Sequence, residues 1–277
     1  MHIPRDVGEL AGLLARAGFV AADDEAVELL ASARGDDQRL GLLVGRRLAG
    51  EPLAWITGHT LFCGVDLVVD RGVYVPRWQS EPLVERAVER LPPRGLAVDL
   101  CTGSGALAAV LAARRPEARV VASDVDDRAV ACATSNGVDA YVGDLFAPLP
   151  TSLAGRVDVV VAVVPYVPTP ALATLPRDTL VFESTLAYDG GSDGIDVLRR
   201  VAAEAPRFLR PGGALLVELG GDQAGLLAED LARQGYGAVD VLLDGDGDVR
   251  GIEATFATSP APDHGRLPAG DRGPVAV

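Results

Sequence analysis

Apolar positions follow two different spacings along the chain, and the spacing changes near residue 96. Up to about residue 50, leucines recur at helical intervals, as at Leu10, Leu13 and Leu14, and this pattern predicts three amphipathic helices. From Leu96 onward, short runs of Val, Ala and Leu alternate with segments of helical periodicity. Such alternation predicts an α/β fold with a largely parallel sheet that is covered by helices on both faces.

The α/β part divides into short elements separated by Gly, Pro and charged residues. Strands are predicted at 96–100, 119–124, 140–143, 157–164 and 214–219, with a closing antiparallel pair at 238–243 and 252–256. Helices are predicted at 81–91, 106–114, 126–136, 198–209 and 223–234, the fourth of them ended by Arg210-Pro211-Gly212-Gly213.

A linker and a β-hairpin are predicted between the two regions. The arms of the hairpin are expected at 60–69 and 73–75, with Asp70-Arg71-Gly72 as the turn. The chain therefore divides into a helical N-terminal domain (1–52), a linker with the hairpin (53–76), a main domain (77–256) and a tail (257–277). The Pro/Gly-rich tail is predicted to be disordered because it cannot bury enough apolar surface.

Composition and charge exclude several classes of function. The chain has no apolar run of the roughly 18 residues that a membrane span requires, and its N-terminus lacks the core of a signal peptide, so a cytoplasmic location without membrane contact is expected. Its three cysteines are far apart and odd in number, which argues against a disulfide framework or a zinc site. The net charge of -14 argues against a nucleic acid partner bound through its phosphates.

The clearest candidate site is the turn that follows the strand at 96–100. The turn contains Gly103 and Gly105 and leads into a helix that begins at Ala106. Glycines let a ligand approach the backbone, the amides at a helix start favour polar groups, and Asp99 lies where open α/β sheets bind ligands. The joint predicts a nucleotide-like ligand, although a glycine turn that only packs a helix is the simpler alternative.

Two further acids follow the next two predicted strands. Asp124 comes 21 residues after Gly103, the spacing at which an acid accepts hydrogen bonds from ribose hydroxyls, and Asp144 could receive an adenine amino group. Helix caps or turns are the alternative for each acid. The glycine spacing also matches that of NAD-linked oxidoreductases. The step Pro165-Tyr166 separates the two interpretations, because its backbone carbonyls and aromatic face suit a flat amide or amine rather than hydride transfer.

Several motifs in one order give a specific resemblance. They are Gly-Glu-Pro-Leu-Ala-Trp-Ile-Thr-Gly (50–58), Val75-Pro76-Arg77, residues 99–105, Asp124, Gly143-Asp144-Leu145-Phe146, Pro165-Tyr166-Val167-Pro168, residues 190–194 and Glu218-Leu219-Gly220. In these motifs the chain resembles the HemK/PrmC family of protein-glutamine N-methyltransferases, from the N-terminal helices to about Phe256. The resemblance implies a helical N-terminal domain, a hairpin and a class I methyltransferase core with a Rossmann-like, mostly parallel seven-stranded sheet.

The resemblance also implies a cofactor, a partner and a set of site residues. The cofactor would be S-adenosylmethionine, and the partner would be a peptide-chain release factor, methylated on the glutamine of its Gly-Gly-Gln loop. No metal is implied. The residues carried over as cofactor-binding are Asp99, Thr102, Gly103, Gly105, Asp124, Val125, Asp144 and Leu145. Those carried over to the acceptor side are Val163, Pro165 and Tyr166.

Three departures from the family pattern change this picture. Val163-Val164-Pro165-Tyr166 stands where the family has Asn-Pro-Pro-Tyr, so the asparagine that accepts a hydrogen bond from the target amide is missing. Cys101 replaces the first glycine of the cofactor turn, which is strained if its φ is positive. Trp78-Gln79-Ser80-Glu81 replaces Pro-Glu-Thr-Glu. We interpret the chain as a diverged paralogue with three open functions: a release-factor methyltransferase, a methyltransferase for a small molecule of specialised metabolism, or a non-catalytic protein that binds the cofactor.

Overall fold

Three helices at the N-terminus bury their apolar residues against one another, which confirms the predicted helical pattern. The computed structural model describes residues 3–175 and 181–257. The helices are α1 (Val7–Arg16), α2 (Ala22–Ala33) and α3 (Asp37–Leu48). Their shared core includes Leu10, Leu14, Leu29 and Val44, all fully buried. The ion pair between Arg47 Nε and Glu25 Oε2, at 2.6 Å, links α3 to α2.

A short helix, α4 (Leu53–Thr57), joins this unit to the rest of the chain. Trp55 on α4 is buried, and its indole Nε1 donates a hydrogen bond to the carbonyl oxygen of Val73 at 2.8 Å. Next to α4, the carboxylate of Glu51 accepts hydrogen bonds from Arg46 at 2.8 and 2.7 Å and lies 3.2 Å from Arg71. The N-terminal helices are thereby fastened to the segment around residues 71–73.

The hairpin is shorter than predicted, and its predicted turn was wrong. Its strands are β1 (His59–Phe62) and β2 (Val65–Val68), which pair antiparallel with Phe62 opposite Val65. The turn is Cys63-Gly64, and both residues have positive φ, 47° and 79°. Two-residue hairpin turns of this kind are usually Asn-Gly or Asp-Gly, so the cysteine concealed the signal. Asp70-Arg71-Gly72 forms only a local turn, and residues 73–75 are not a strand.

Seven strands form the main sheet in the order β5-β4-β3-β6-β7-β9-β8. All neighbouring pairs are parallel except those of β9, which pairs antiparallel with both β7 and β8. The strands are β3 (Leu96–Leu100), β4 (Arg119–Asp124), β5 (Asp139–Val142), β6 (Val157–Ala162), β7 (Leu209–Glu218), β8 (Tyr236–Leu243) and β9 (Val249–Phe256). Because β3 and β6 lie in the middle and run parallel, the carboxyl ends of the strands that precede the predicted site meet at one edge.

Helices cover both faces of this sheet. They are α5 (Glu81–Arg90), α6 (Ala106–Arg114), α7 (Asp127–Ser135), α8 (Asp196–Glu204) and α9 (Gln223–Arg233). One core packs α5 and α6 against the sheet, and a second core packs α8 and α9 against its other face. Within the described residues, none of the helices combines the length and the apolar character needed to cross a membrane.

Strand β7 begins earlier than predicted. The helix expected to reach residue 209 ends at Glu204, and β7 starts at Leu209 and continues through the expected breaker Arg210-Pro211-Gly212-Gly213. The breaker fits because the register skips there: Val157 pairs with Leu209, whereas Val159 pairs with Ala214. The extra residues form a bulge, where a proline costs no ladder hydrogen bond.

The predicted disorder of the tail concerns residues 258–277, which lie outside the described residues.

Asn136, just after α7, links the hairpin to the turn that follows β3. Its side-chain oxygen accepts a hydrogen bond from the amide of Val68 at 2.8 Å. Its side-chain nitrogen donates to the carbonyl oxygen of Val68 at 2.9 Å and to that of Ser104 at 2.8 Å. One amide group therefore holds β2 and the glycine turn in a fixed relative position.

Candidate cofactor and acceptor site

A cavity of about 430 Å³ opens at the carboxyl edge of the sheet. The turns after β3 and β4 form one side of it, and the segment after β6 forms another. Residues 72–76 and 183–188, which are far apart in the sequence, close it from outside the sheet. Its size lies within the range of roughly 300 to 1,000 Å³ that is typical of sites for small molecules.

The two glycines of the turn after β3 have different tasks. Both have positive φ, 55° for Gly103 and 80° for Gly105. Gly103 lines the cavity, and its amide donates a hydrogen bond to Asp124 Oδ2 at 2.9 Å. A Cβ on Gly105 would lie 2.9 Å from the Cβ of Ala133, so this glycine is required for α6 to pack against α7. Gly103 therefore belongs to the cavity surface, and Gly105 serves helix packing. Helix packing was the simpler alternative considered for the whole turn.

Asp124 ends β4 and holds the turn with both of its oxygens. Oδ2 receives the amide of Gly103, and Oδ1 receives the amide of Asp126 at 3.0 Å. Burial raises the pKa of this carboxyl, while the amide hydrogen bonds lower it. Each carboxylate oxygen can accept a second hydrogen bond, so Asp124 can also receive hydroxyl groups of a ligand in the cavity.

Asp99 is a buried acid, 2% exposed, on the floor of the same cavity. Its Oδ2 accepts hydrogen bonds from the hydroxyl of Thr102 at 2.6 Å and from the amide of Ala108 at 3.2 Å. Burial raises the pKa of Asp99 from 3.8 to about 7, although these two hydrogen bonds oppose the shift. Neither bond uses Oδ1, which leaves that oxygen for a ligand.

We expect Asp99→Asn to increase the free energy of unfolding at neutral and higher pH. The raised pKa means that the folded wild type is stabilised by protonation below the ordinary value and loses this stability as the pH rises towards about 7. A shift of three pKa units corresponds to at most roughly 4 kcal/mol. Urea unfolding at about pH 5 and about pH 8 should show a smaller decrease for the variant. Equal decreases in both proteins would contradict the burial argument.

Cys101 occupies the position of the first glycine in the family turn, and its φ is 56°. The positive φ meets the condition for strain stated from the sequence, because L-residues other than Gly, Asn and Asp rarely adopt this region. The thiol is half-buried and lines the cavity, and burial raises its pKa well above the ordinary value for a cysteine. Cys101 is therefore a neutral, slightly apolar part of the lining.

The acceptor side predicted from the sequence also lines the cavity, through Val163, Pro165 and Tyr166. The carbonyl oxygen of Tyr166, which the sequence interpretation assigned to a ligand, accepts a hydrogen bond from Gln223 Nε2 at 2.8 Å. The carbonyl oxygen of Pro165 lies against Gly190, where it would be 2.8 Å from an added Cβ. These contacts hold the step in position.

The loop of residues 189–194 supports this step and lies just before α8. The amide of Val167 donates to the carbonyl oxygen of Tyr188, and that of Gly190 donates to the carbonyl oxygen of Val167. A Cβ on Gly194 would lie 2.4 Å from the carbonyl oxygen of Tyr166, so the loop packs directly on the backbone. Within the ranges 3–175 and 181–257, His, Cys, Asp and Glu side chains form no group that could hold a metal ion.

A hydrogen-bonded group that the sequence did not assign lies behind the cavity wall. Glu218, the last residue of β7, is 2% exposed. Its Oε1 accepts a hydrogen bond from the hydroxyl of Tyr166 at 2.9 Å, and its Oε2 accepts a short one from the hydroxyl of Ser80. Ser80 belongs to the altered segment 78–81 and lines the cavity. The strand-end rule that singled out Asp124 applies to Glu218 as well and could have found it.

Glu183 lines the cavity and forms an ion pair with Arg77, which lies outside the lining. Arg77 donates to both oxygens of the buried Glu183, at 2.7 and 2.9 Å, and its guanidinium carbon lies 5.4 Å from the centre of the Tyr74 ring. Burial raises the pKa of Tyr74 to about 12. Tyr74 and Tyr188 pack edge to face with ring centres 5.8 Å apart. Tyr74, Tyr188 and Glu183 therefore form an aromatic, closely packed part of the lining. Of the four residues, only Arg77 lies in a motif noted from the sequence.

The remaining predicted residues divide between the cavity and its surroundings. Thr102 and Val125 line the cavity. Gly105, Asp144 and Leu145 lie outside its lining. The carboxylate of Asp144 is half-exposed and pairs with Arg200 at 2.7 Å, and Leu145 is buried in the core with a φ of 46°. Their assignment to the cofactor stays a prediction.

Comparisons with known proteins show which family the chain resembles. A family model described as "Methyltransferase small domain" matches residues 79–150. The chain is 39% identical over 215 residues to a release factor glutamine methyltransferase of Geobacter sulfurreducens, covering 76% of this chain and 72% of that protein. It is 34% identical over 266 residues to the release factor glutamine methyltransferase of Cereibacter sphaeroides, covering 87% and 94%.

A likeness to a solved structure concerns the fold alone. The crystal structure of the hMettl16 catalytic domain in complex with the MAT2A 3'UTR hairpin 6 superimposes with a TM-score of 0.50 at 17% identity. The match covers 70% of this chain and 78% of that chain.

Proposed function

Since the chain belongs to the family of release factor glutamine methyltransferases, we propose that it methylates the side-chain amide of a glutamine in a release factor. It is an S-adenosylmethionine-dependent methyltransferase, and its fold is the class I methyltransferase fold that the resemblance implied. The observation that supports this acceptor is that one cavity joins the turns after β3 and β4 to the Pro165-Tyr166 step.

The residues on the sheet side of the cavity fit the cofactor. The positive φ of Gly103 gives a backbone surface without a side chain, and Asp124 beside it has lone pairs left for the two ribose hydroxyls. In this proposal Thr102 and Val125 contribute to the same surface, and the free oxygen of Asp99 faces a polar end of the cofactor. Gly105, Asp144 and Leu145 complete the predicted set, with Gly105 acting through the packing of α6.

When it is bound, S-adenosylmethionine supplies a sulfonium methyl group: an acceptor nitrogen would form a bond to the methyl carbon as the S–CH3 bond breaks in line, and the nitrogen would lose one proton. The task of the protein is to hold that nitrogen within about 3 to 3.5 Å of the methyl carbon and to exclude water. Val163 and Pro165 provide an apolar surface, the Tyr74 and Tyr188 rings close the opposite side, and Tyr166 orients the amide. The loop at 189–194 and Gln223 keep the Pro165-Tyr166 step in place.

Mass spectrometry of a release factor incubated with the purified protein and the cofactor tests the proposal. We expect one added methyl group on the glutamine of the Gly-Gly-Gln loop. A release factor in which that glutamine is replaced by glutamate is the matched control and should stay unmodified. A wild-type release factor that stays unmodified at saturating cofactor would contradict the proposal.

Val163 favours a second candidate, in which the acceptor is a different, small molecule. The valine lines the cavity at the position where the family pattern has asparagine, and it offers no hydrogen bond to an amide. Turnover of amine, amide or hydroxyl compounds without release-factor methylation would support this candidate. Cofactor binding in calorimetry with no turnover of any acceptor would instead support a non-catalytic binding protein.

A further inference from the structure

Glu218 is a buried acid between two hydroxyl groups that both belong to the cavity wall. Tyr166 and Ser80 line the cavity, whereas Glu218 lies behind them. The Tyr166 hydroxyl bonds to one carboxylate oxygen and the Ser80 hydroxyl to the other. Both side-chain hydrogen bonds of the carboxylate therefore go to residues of the cavity wall.

The direction of these hydrogen bonds follows from the chemistry of the three groups. An ionised carboxylate can only accept hydrogen bonds, so both hydroxyls must donate to it. Each hydroxyl has a single proton, and that proton is used on Glu218. What Ser80 and Tyr166 have left for a ligand is their oxygen lone pairs. At this part of the wall, the side-chain oxygens that can accept an N–H group are those of these two hydroxyls.

We infer that Glu218 is a positioning residue that makes Ser80 and Tyr166 hydrogen-bond acceptors and so selects a methyl acceptor with an NH2 group. Two acceptor oxygens match the two N–H donors of a primary amide, whereas a hydroxyl compound has only one donor. The inference deepens the proposed function and rests on it for the identity of the acceptor.

The surroundings of Glu218 determine how it responds to pH. Burial raises its pKa, while the hydroxyls of Ser80 and Tyr166 and the charge of Arg250 on β9 lower it. Tyr74 faces the same carboxylate, and its own pKa is raised by burial to about 12, so it stays neutral. Protonation gives Glu218 an O–H that one hydroxyl must accept, which returns a proton to the cavity wall. Activity should therefore fall as the pH decreases through the raised pKa of Glu218.

Glu218→Gln tests the inference because it preserves the shape and removes the acceptor-only character. The amide nitrogen of the glutamine is a donor, so one of the two hydroxyls has to reverse its bond. We expect kcat/KM for the release factor to fall about tenfold, the equivalent of one hydrogen bond, while the affinity for S-adenosylmethionine in calorimetry stays unchanged. The decrease in activity at acidic pH that comes from protonation of Glu218 should also disappear.

Glu253→Gln is the matched control. Glu253 on β9 is equally buried, 2% exposed, and pairs with Arg86 and Arg90 away from the cavity. We expect this variant to lose stability but to retain kcat/KM and the pH profile of the wild type. An equal loss of kcat/KM in both variants, or no loss in Glu218→Gln, would overturn the inference.

A spectroscopic measurement determines the direction of the Tyr166–Glu218 hydrogen bond and needs no methyl acceptor. The difference between ultraviolet resonance Raman spectra of the wild type and of Tyr166→Phe isolates the Tyr166 phenol, whose doublet intensities report whether it donates or accepts. We expect a strong donor in the wild type. A Tyr166 that does not donate would overturn the inference even if the release factor is methylated. A strong donor in a protein that leaves the release factor unmodified would contradict the proposed function alone.

Discussion

Asp124→Asn should weaken the binding of S-adenosylmethionine by about thirtyfold to a hundredfold. The side chain now receives the amides of Gly103 and Asp126 on its two oxygens. An asparagine has one oxygen and one NH2 group, so one of these amides would face another donor. The variant also loses the charge that strengthens hydrogen bonds from ribose hydroxyls. Together these losses amount to about 2 to 3 kcal/mol.

Isothermal titration with S-adenosylmethionine measures this effect. Asp127→Asn is the control, since Asp127 is an exposed residue in the first turn of α7, outside the cavity lining. It removes the same charge three residues along the chain and should leave the affinity unchanged. If Asp124→Asn binds as tightly as the control, Asp124 does not hold the cofactor and the assignment of the sheet side of the cavity fails.

Val163→Asn should increase kcat/KM for release-factor glutamine by about tenfold to thirtyfold. The substitution places a side-chain amide directly after β6, on the cavity lining. Its oxygen can accept a hydrogen bond from the target amide, in place of one of the hydroxyl oxygens of Ser80 and Tyr166, and fix the direction of the nitrogen. One such bond in a closed site contributes about 1 to 2 kcal/mol.

Methylation kinetics with the release factor measure this gain. Val163→Leu is the control, because it changes the volume of the side chain without adding an acceptor and should not increase the rate. Thermal unfolding of each variant shows whether the fold is retained. No gain in Val163→Asn, together with good cofactor binding, would show that the missing asparagine is not what limits glutamine methylation.

The sequence predicted the middle of the fold to the residue. The strand 96–100, the helix 106–114 and the strand 119–124 begin and end where expected. These elements are continuous apolar runs bounded by glycines or by Pro116, so both their type and their ends have a strong local signal. The parallel sheet follows from their alternation, because each helix must return the chain to the same edge.

The errors arose where local signals conflict with tertiary structure. Cys63 adopts a positive φ that its residue type does not suggest, so the hairpin turn was placed at Asp70-Arg71-Gly72. The Pro-Gly-Gly sequence within β7 is a strong breaker, yet a bulge against β6 accommodates it. Pairing partners of this kind are not visible in a single segment of sequence.

The candidate site was predicted on its sheet side better than on its outer side. Asp99, Gly103 and Asp124 lie together because strand ends share an edge, which the sequence pattern already implies. The wall formed by Tyr74 and Tyr188 comes from loops without periodicity, separated by more than a hundred residues, and no local rule brings them together.

The three hydrogen bonds of Asn136 make the hairpin part of the cofactor's own support. Any partner that pulls on β2 also pulls on the turn at Ser104, and a bound nucleoside must stiffen the hairpin in return. Under the proposed function, a protein substrate that contacts the hairpin would therefore be linked thermodynamically to the binding of the methyl donor through a single side-chain amide. Substitutions in the hairpin that adapt the protein to a new substrate would therefore also change its affinity for the methyl donor.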